Sequence, residues 1–372
     1  MRNVYVVADN IYSPLGRNTE VNIEVLKLGK SGIQLHVGEL SSEPFYASLF
    51  DSTFKIEDKS KTFFEQIVYA SALDAIQKAD IQSADNKTGF ILSSTKGNIS
   101  LIEHLKNESL SGKRIALHES ASVVAAELGF RSEPLVVSHA CISGLLAIIT
   151  GMRLIQSGLY DSLVITGADL ITSFIYSGFL SFQAISKNPC KPFDATRDGI
   201  SLGEAAATVV LSAKENPGAI LLAGGSVSND ANHISGPSRT GEELWLAIRR
   251  SLTQSGIAAK DIDFISAHGT ATRYNDEMEA KAIHLASMEK IPLNSLKGYY
   301  GHTLGAAGIL ETIVTIHSMK QNIIFPTLGF STSGTELPVN VVKELSSANL
   351  HRTLKTASGF GGCNAALVMI KD

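Results

Sequence analysis

Short runs of β-branched and aliphatic residues alternate along the chain with longer amphipathic stretches, a pattern that predicts an α/β protein with mostly buried strands. Val4-Tyr5-Val6-Val7 predicts an opening strand, followed by a Ser13-Pro14-Leu15-Gly16 turn. Between 61 and 79, Phe64, Ile67, Ala70, Leu73 and Ile76 recur at helical spacing, and 90–92 then reads as strand. Residues 134–137 are strand-like again, and an apolar helix over 142–156 follows them through a junction of small residues. Buried strands are predicted at 163–166 and 207–211. A second series starts near Gly218: strand 220–223, helix 241–255, strand 264–266, helix 275–286, a strand-turn-helix unit after Leu296, and a closing strand over 366–370. The two series have similar order and meet near 214–217, which predicts two halves, 1–215 and 216–372. No residue-level repeat or low-complexity linker separates them.

Composition narrows the classes. With 372 residues, 44% hydrophobic and 18% charged, the chain can bury a large core, so disorder is set aside. A net charge of −4 gives no electrostatic reason to expect nucleic acid or an anionic membrane as partner. The start of the chain turns polar too soon for a signal peptide. The uncharged stretch between Glu133 and Arg153 is interrupted by Pro134, Ser138, His139, Ser143 and Gly144, which argues against a lipid-spanning helix. Cys141, Cys190 and Cys363 form no C-x-x-C pair, so neither a disulfide framework nor a zinc site is indicated, and a reducing cytoplasmic setting fits best.

Candidate chemistry begins at Ser138-His139-Ala140-Cys141-Ile142-Ser143-Gly144, where a strand gives way to a helix with a thiol at the junction. Helix N–H groups aimed at that sulfur would favour its thiolate. A lone cysteine is more often one more small buried residue, but two other segments shift the balance. In Ser266-Ala267-His268-Gly269-Thr270-Ala271-Thr272, followed by Asn275, Asp276 and Glu279, a histidine leaves a strand into a glycine- and threonine-rich loop. In Lys297-Gly298-Tyr299-Tyr300-Gly301-His302-Thr303-Leu304-Gly305-Ala306-Ala307-Gly308, then Glu311, repeated glycine disfavours an exposed helix and suits one packed closely on other backbone.

Those segments, together with Phe193-Asp194-x-x-Arg197-Asp198-Gly199, Gly203-Glu204 and Gly359-Phe360-Gly361-Gly362-x-Asn364, resemble the β-ketoacyl-carrier-protein synthases, the decarboxylating branch of the thiolase superfamily. The resemblance runs over nearly the whole chain. It implies a thiolase-like duplicated α/β fold, five-layered α-β-α-β-α with two mixed β-sheets. It also implies Cys141 as acyl-accepting nucleophile, the main-chain N–H groups of Cys141 and Phe360 as oxyanion hole, and His268 and His302 as donors to the thioester oxygen of malonyl-carrier protein. Lys297 and Glu311, at the family's spacing from His302, would set charge and tautomer, with a structural ion pair nearly as good a reading. Thr270 and Thr272 would bind the phosphopantetheine arm, although loop threonines often only cap helices. Phe360 would gate the acyl pocket. The 193–204 segment is assigned a structural role, and His233 matches a family position without a catalytic role. No cofactor or metal is implied, because phosphopantetheine arrives on the acyl carrier protein.

Several positions depart from the family's pattern. The chain is somewhat short; Cys363 stands where threonine is common, Ser358 replaces an aromatic residue, and Gln183 replaces a carrier-docking arginine. The third catalytic position is His302 rather than asparagine, which favours the elongating, carrier-dependent branch. A homodimer is implied, with a heterodimer with a chain-length-factor subunit left open. A non-catalytic chain-length-factor-like subunit is the alternative, against which the retained Cys141, His268 and His302 speak. Fatty-acid elongation and type II polyketide or aryl polyene assembly both fit, with the altered docking and gate positions leaning toward the latter.

Overall fold

The computed structural model describes residues 2–38, 40–54, 58, 60–104, 112–231 and 236–371. Ten strands build the central sheet. In the first half they are β1 (Tyr5–Tyr12), β2 (Thr88–Ser93), β3 (Leu135–Val137), β4 (Ser162–Asp169) and β5 (Ala205–Ser212); in the second, β6 (Ile220–Asn229), β7 (Phe264–Ser266), β8 (Leu293–Asn294), β9 (Arg352–Gly359) and β10 (Cys363–Ile370). Across the sheet the first half runs β3-β2-β4-β5-β1 and the second β8-β7-β9-β10-β6, the same order by rank. In each half the three strands farthest from the seam pair in parallel, and the remaining pairings are antiparallel. The halves touch edge to edge only through the first residues of β1 and β6, Tyr5 against Leu221 and Val6 against Ile220.

The helices that build the layers and the site are α1 (Phe63–Ala79), α2 (Leu117–Glu127), α3 (Ser143–Gln156), α4 (Ser173–Ser181), α5 (Glu242–Ser255), α6 (Arg273–Leu285) and α7 (Ala307–Gln321). Helix α1 starts where the sequence supplies a capping box, Thr62 accepting from Glu65 N–H while Glu65 accepts from Thr62 N–H. Its apolar face and that of α2 bury Phe64, Ile67 and Val124 against Phe90 and Val164 on one outer side. On the opposite outer side α5 and α6 bury Leu244, Ile248, Met278 and Ile283 against Leu354 and Val368. Between the half-sheets lie α3 and α7, whose Ile148, Ile149, Ile309 and Ile313 share one core with Ile165 and Leu367 from both halves. Five layers result, with most of α3 and nearly all of α7 buried because both faces of each meet a sheet. Among the described residues no helix is long and apolar enough to cross a membrane.

The α3–α7 contact is made backbone to backbone. A Cβ on Gly144 would lie 2.9 Å from Gly305 O and Ile309 N, and one on Gly308 would collide with the Leu145 main-chain N. The small residues at 305–308 are therefore a packing requirement, as their composition predicts.

Two expectations change. No strand opens the unit after Leu296; the strand is β8, two residues long and ahead of it, and Lys297–Tyr300 is a short helix. The run 352–359, which the hydrophobic pattern does not mark, is the central strand β9, paired with both β7 and β10. In its sequence, Arg352-Thr353-Leu354-Lys355-Thr356, the polar Thr353, Lys355 and Thr356 are nonetheless buried, so the strand lacks the apolar run that betrays the others.

Candidate active site

The edge strand β3 ends in a sharp turn. Ala140 takes φ 46°, a left-handed conformation that costs a non-glycine residue on the order of 1–3 kcal/mol. The turn is held by Ser143, whose Oγ accepts from His139 N–H at 2.7 Å and donates to Ala140 O at 2.6 Å. Cys141 thereby sits buried just before α3. Burial pushes its thiol up to about 11, against the opposing pull of Lys297 and of the Phe360 main-chain N–H that donates to the sulfur. The position before a helix led to an expectation of a thiolate; the cost of ionising a sulfur with almost no water around it overrides the helix end.

His268 follows β7. Glu279, on α6, accepts the N–H groups of His268 and Gly269, both at 2.8 Å. Gly269 has φ 44°, and a Cβ there would lie 2.6 Å from Ser295 Cβ, so the loop passes directly over its neighbour as the glycine predicts. Lys297 Nζ donates to His268 O at 2.6 Å, to Glu311 Oε1 at 2.7 Å, and faces His268 Nδ1 at 3.3 Å. His302 is pinned through its own backbone, its N–H to Ser201 O at 2.7 Å and its carbonyl accepting from Gly203 N–H at 3.1 Å. Leu304 N–H donates to His302 Nδ1 at 3.1 Å. Just beyond, Gly305 N–H donates to Asp169 Oδ2 at 2.7 Å, so the buried end of β4 fixes the loop that orients His302.

Both Nδ1 atoms thus face donors, and each ring carries its proton on Nε2. Burial first, and then the Lys297 charge, hold both imidazoles well below the ordinary histidine value, so both are neutral. Among the described residues His302 Nε2 has no hydrogen-bond partner although it is buried. The rings stand edge to face with centroids 5.3 Å apart. The Cys141 sulfur and one nitrogen of each ring lie within 4.8 Å of one another. A cysteine and two histidines are also a donor set that a metal could use, but rings with protonated Nε2 are built to donate hydrogen bonds to an oxygen.

These three side chains line a cavity of about 940 Å³ together with Phe179, Phe182 and Phe360, and the 80% exposed Tyr274 stands at its mouth with Arg239 and Arg273. Phe360 is 37% exposed and packs on Phe179 and Phe182 at centroid distances of 5.7 and 5.4 Å. Thr270 and Thr272 line the cavity and share a 2.9 Å hydroxyl contact; Thr272 also caps α6, accepting from Asn275 N–H. Ser358 lines the cavity and donates to Asn364 Oδ1 at 2.7 Å, and Gln183 lies on the cavity wall. Cys363 donates to Phe360 O at 3.4 Å, and burial pushes its thiol up to about 12.

The charged residues of 193–204 spend themselves on backbone. Asp194 accepts from Thr196, Ser331 and Thr332 N–H, and Glu204 accepts from Phe50 and Ile171 N–H. Asp198 also reaches the cavity wall. His36, His118, His139, His284, His317 and His351 lie off the cavity lining, His317 against Asp9 at 3.1 Å. His233 and the side chain of His104 lie outside the described residues.

Sequence reasoning gave no role to three residues that hold this site. Asp276 and Glu279 bind the His268 loop from one face of α6, Asp276 accepting from Thr270 N–H at 2.9 Å, and their i, i+3 spacing beside a predicted loop histidine was the available signal. Lys355, fully buried and 2.7 Å from Glu311 Oε2, had no such signal.

Comparison with known proteins identifies the family. The beta-ketoacyl synthase N-terminal domain matches residues 1–216 and the beta-ketoacyl synthase C-terminal domain matches 219–331. A 3-oxoacyl-[acyl-carrier-protein] synthase 2 of Rhizobium meliloti is 31% identical, with 99% of each chain covered, and the Staphylococcus aureus protein of that name is 27% identical over 100% of this chain and 98% of its own. Among solved structures, a chain of the complex of a ketosynthase with its chain length factor from Xenorhabdus doucetiae superposes with a TM-score of 0.90 at 26% identity, covering 100% of this chain and 98% of that one. With family domains matched in both halves and relatives aligned from end to end, this chain belongs to the beta-ketoacyl synthase family.

Proposed function

We propose that this protein is a catalytically active β-ketoacyl-carrier-protein synthase, in which residues 1–215 contribute the nucleophile Cys141 and residues 216–372 contribute His268 and His302. The observation that carries the reading is the meeting of one sulfur and two neutral, Nε2-protonated imidazoles within 4.8 Å in the wall of a 940 Å³ cavity.

In the first step Cys141 Sγ attacks the carbonyl carbon of an acyl-carrier thioester. The new C–S bond forms, the carrier's C–S bond breaks, and the thiol proton passes to the departing pantetheine sulfur. Because the free thiol sits near 11, the proton leaves as attack proceeds rather than beforehand. The N–H groups of Cys141 and Phe360 are assigned to the oxygen of the tetrahedral intermediate; the Phe360 N–H already points at the sulfur.

In the second step malonyl-carrier protein enters, and its terminal C–C bond breaks to release carbon dioxide. The bonding pair moves into an enolate whose oxygen accepts hydrogen bonds from His268 and His302. The enolate carbon attacks the acyl-cysteine carbonyl, and the thiolate of Cys141 leaves and takes up one proton. Neutral donors suit this step: burial and the Lys297 charge keep both rings unprotonated, and Glu311 holds that ammonium at 2.7 Å. Thr270 and Thr272 are assigned to the phosphopantetheine arm and Phe360 to gating the acyl pocket, with a carrier protein docking at the mouth near Arg239 and Arg273. A second subunit, a like copy or a chain length factor as in the Xenorhabdus complex, completes the assembly in the cytoplasm. Fatty-acid elongation and type II polyketide assembly both use this condensation, with a different acyl chain in the cavity.

The test is intact-protein mass spectrometry after exposure to acyl-carrier protein. The wild type is expected to gain one acyl mass, and Cys141→Ala none, with condensation lost. Full acylation of Cys141→Ala sinks the nucleophile assignment, and a wild type that neither takes up acyl groups nor condenses is a non-catalytic chain-length-factor-like subunit.

A further inference from the structure

Lys355 brings an ammonium group into a completely buried position on β9, and none of the steps above uses it. Its Nζ donates to the carbonyl oxygens of Ser266 and Ala267, both at 3.2 Å, and of Thr356 at 2.8 Å, and pairs with Glu311 Oε2 at 2.7 Å. Three main-chain oxygens and one carboxylate around a single positive centre are the all-oxygen ligand set of a hard cation. Here the cation is covalently tethered to the chain.

The cage lies where His268 is positioned. Ser266 and Ala267 are the two residues before it, so Lys355 grips the carbonyls leading into His268. Next along β9, Thr356 Oγ1 donates at 2.7 Å to Glu279, the carboxylate that accepts the N–H groups of His268 and Gly269. Two adjacent residues of one strand thereby fix the peptide groups on both sides of the histidine.

Charge is the second consequence. The titratable and charged groups around the sulfur, the two rings and the loops that carry them are Cys141 from the α3 turn, Lys297 and Glu311 from the Lys297–Tyr300 helix and α7, Lys355 from β9, Asp276 and Glu279 from α6, and Asp169 from β4 with Lys96 beside it. Glu279 and Asp276 are occupied by backbone donors of the His268 loop, and Asp169 by those of 95–96 and 305. Lys297, Lys355 and Glu311 leave one positive charge in excess beneath the imidazoles. Protonating Nδ1 would set an N–H against Leu304 N–H in His302 and against the Lys297 ammonium in His268, turning both rings out of line. An additional buried cation opposes that protonation.

We propose that Lys355 is a built-in monovalent cation: a positioning residue that anchors the strand end carrying His268 and keeps both imidazoles neutral with their Nε2–H groups aimed into the cavity. The inference rests on the reading of His268 and His302 as the enolate-binding pair. Removing a positive charge eases protonation of the rings, so the acid limb of the decarboxylation profile moves to higher pH.

The experiment measures malonyl-carrier decarboxylation and Cys141 acylation separately, across pH, for wild type and Lys355→Met. The folded variant, checked by its melting transition, is expected to lose ~10- to 100-fold in decarboxylation, as when a group supporting an active-site ligand is removed. Its acid limb should shift upward in pH, while acylation at neutral pH stays close to wild type. A folded Lys355→Met with an unmoved acid limb overturns the proposal. Independently of any variant, the wild-type rate should not change when sodium, potassium or choline is exchanged at constant ionic strength, because the cage is filled; dependence on potassium or sodium overturns it as well. A wild type with no decarboxylation and no acylation removes the underlying reading and this inference with it, whereas an active wild type with an unmoved limb removes this inference alone.

Discussion

The two halves share one strand order and yet furnish the site in opposite ways. Strand β4 and strand β9 hold the same rank in their half-sheets. β4 carries no charge until its last residue, Asp169, which is taken up by Ser94, Thr95, Lys96 and Gly305. β9 carries Lys355 and Thr356 in its middle, both buried and both tied to the His268 loop. The first half thus offers a dry pocket with a strained turn, where a thiol stays protonated. The second offers an ion cluster that keeps two imidazoles neutral. On the proposed reading the first unit holds a nucleophile and the second an electrostatic clamp, and only the second has a charged side chain in the middle of this strand.

The comparison breaks most sharply if the two halves prove to serve the same step. His268→Ala and His302→Ala are each expected to lower malonyl decarboxylation by ~10²- to 10³-fold, the usual cost of deleting one oxyanion donor. Acyl loading of Cys141, followed by mass spectrometry, should fall far less. Equal loss in both steps would mean that the histidines act on the thiol and not on the enolate. Stability carries a related sign: folded imidazoles held below the ordinary value of 6.5 bind fewer protons than unfolded ones. Their contribution is intact above pH 6.5 and erodes as pH falls toward the depressed folded values.

How far the sequence reveals this arrangement follows the same division. Cys141, His268 and His302 stand in runs of small residues whose spacing is itself a signal, and the structure brings all three together. The helix predicted over 61–79 is legible because Phe64, Ile67 and Ile76 keep its period, and a capping box marks its start. β9 is illegible for a physical reason. Its buried polar groups are satisfied by Ser266, Ala267, Glu279 and Glu311, all distant in the chain, so no local window shows that Lys355 is an interior residue. The thiolate expectation fails likewise, since a helix end is visible in sequence but the dryness around the sulfur is not.

The next largest effect concerns that sulfur. A thiol pushed from 9.0 to about 11 has ~100-fold less thiolate at neutral pH than an unperturbed one, so iodoacetamide should label Cys141 of the free protein slowly. Labelling should climb with pH toward 11, and the folded form, which resists ionisation, should lose stability over that same interval above pH 9. Fast labelling at neutral pH would show that the nucleophile half does supply a thiolate, and the contrast between the halves would narrow to the histidines alone.

The smallest effects test the seam on which both halves depend. Gly308 lies in the first turn of α7 against Leu145 N in the first turn of α3, so Gly308→Ala must push apart two helices that touch through backbone. Backbone cannot yield as a side chain tip can, and a loss of ~1–3 kcal/mol in unfolding free energy is expected. Gly178, inside α4, has nothing within 4 Å of its missing Cβ and no left-handed φ. Gly178→Ala should therefore stabilise by about 0.4–1 kcal/mol, through the reduced freedom of the unfolded chain. Denaturant melts of the two variants side by side decide the matter, because the substitution is chemically identical and only the neighbourhood differs. If Gly308→Ala proves as stable as the wild type, close approach at Gly308 is not what holds the central helices, and the contact would have to be sought in the isoleucines that surround it.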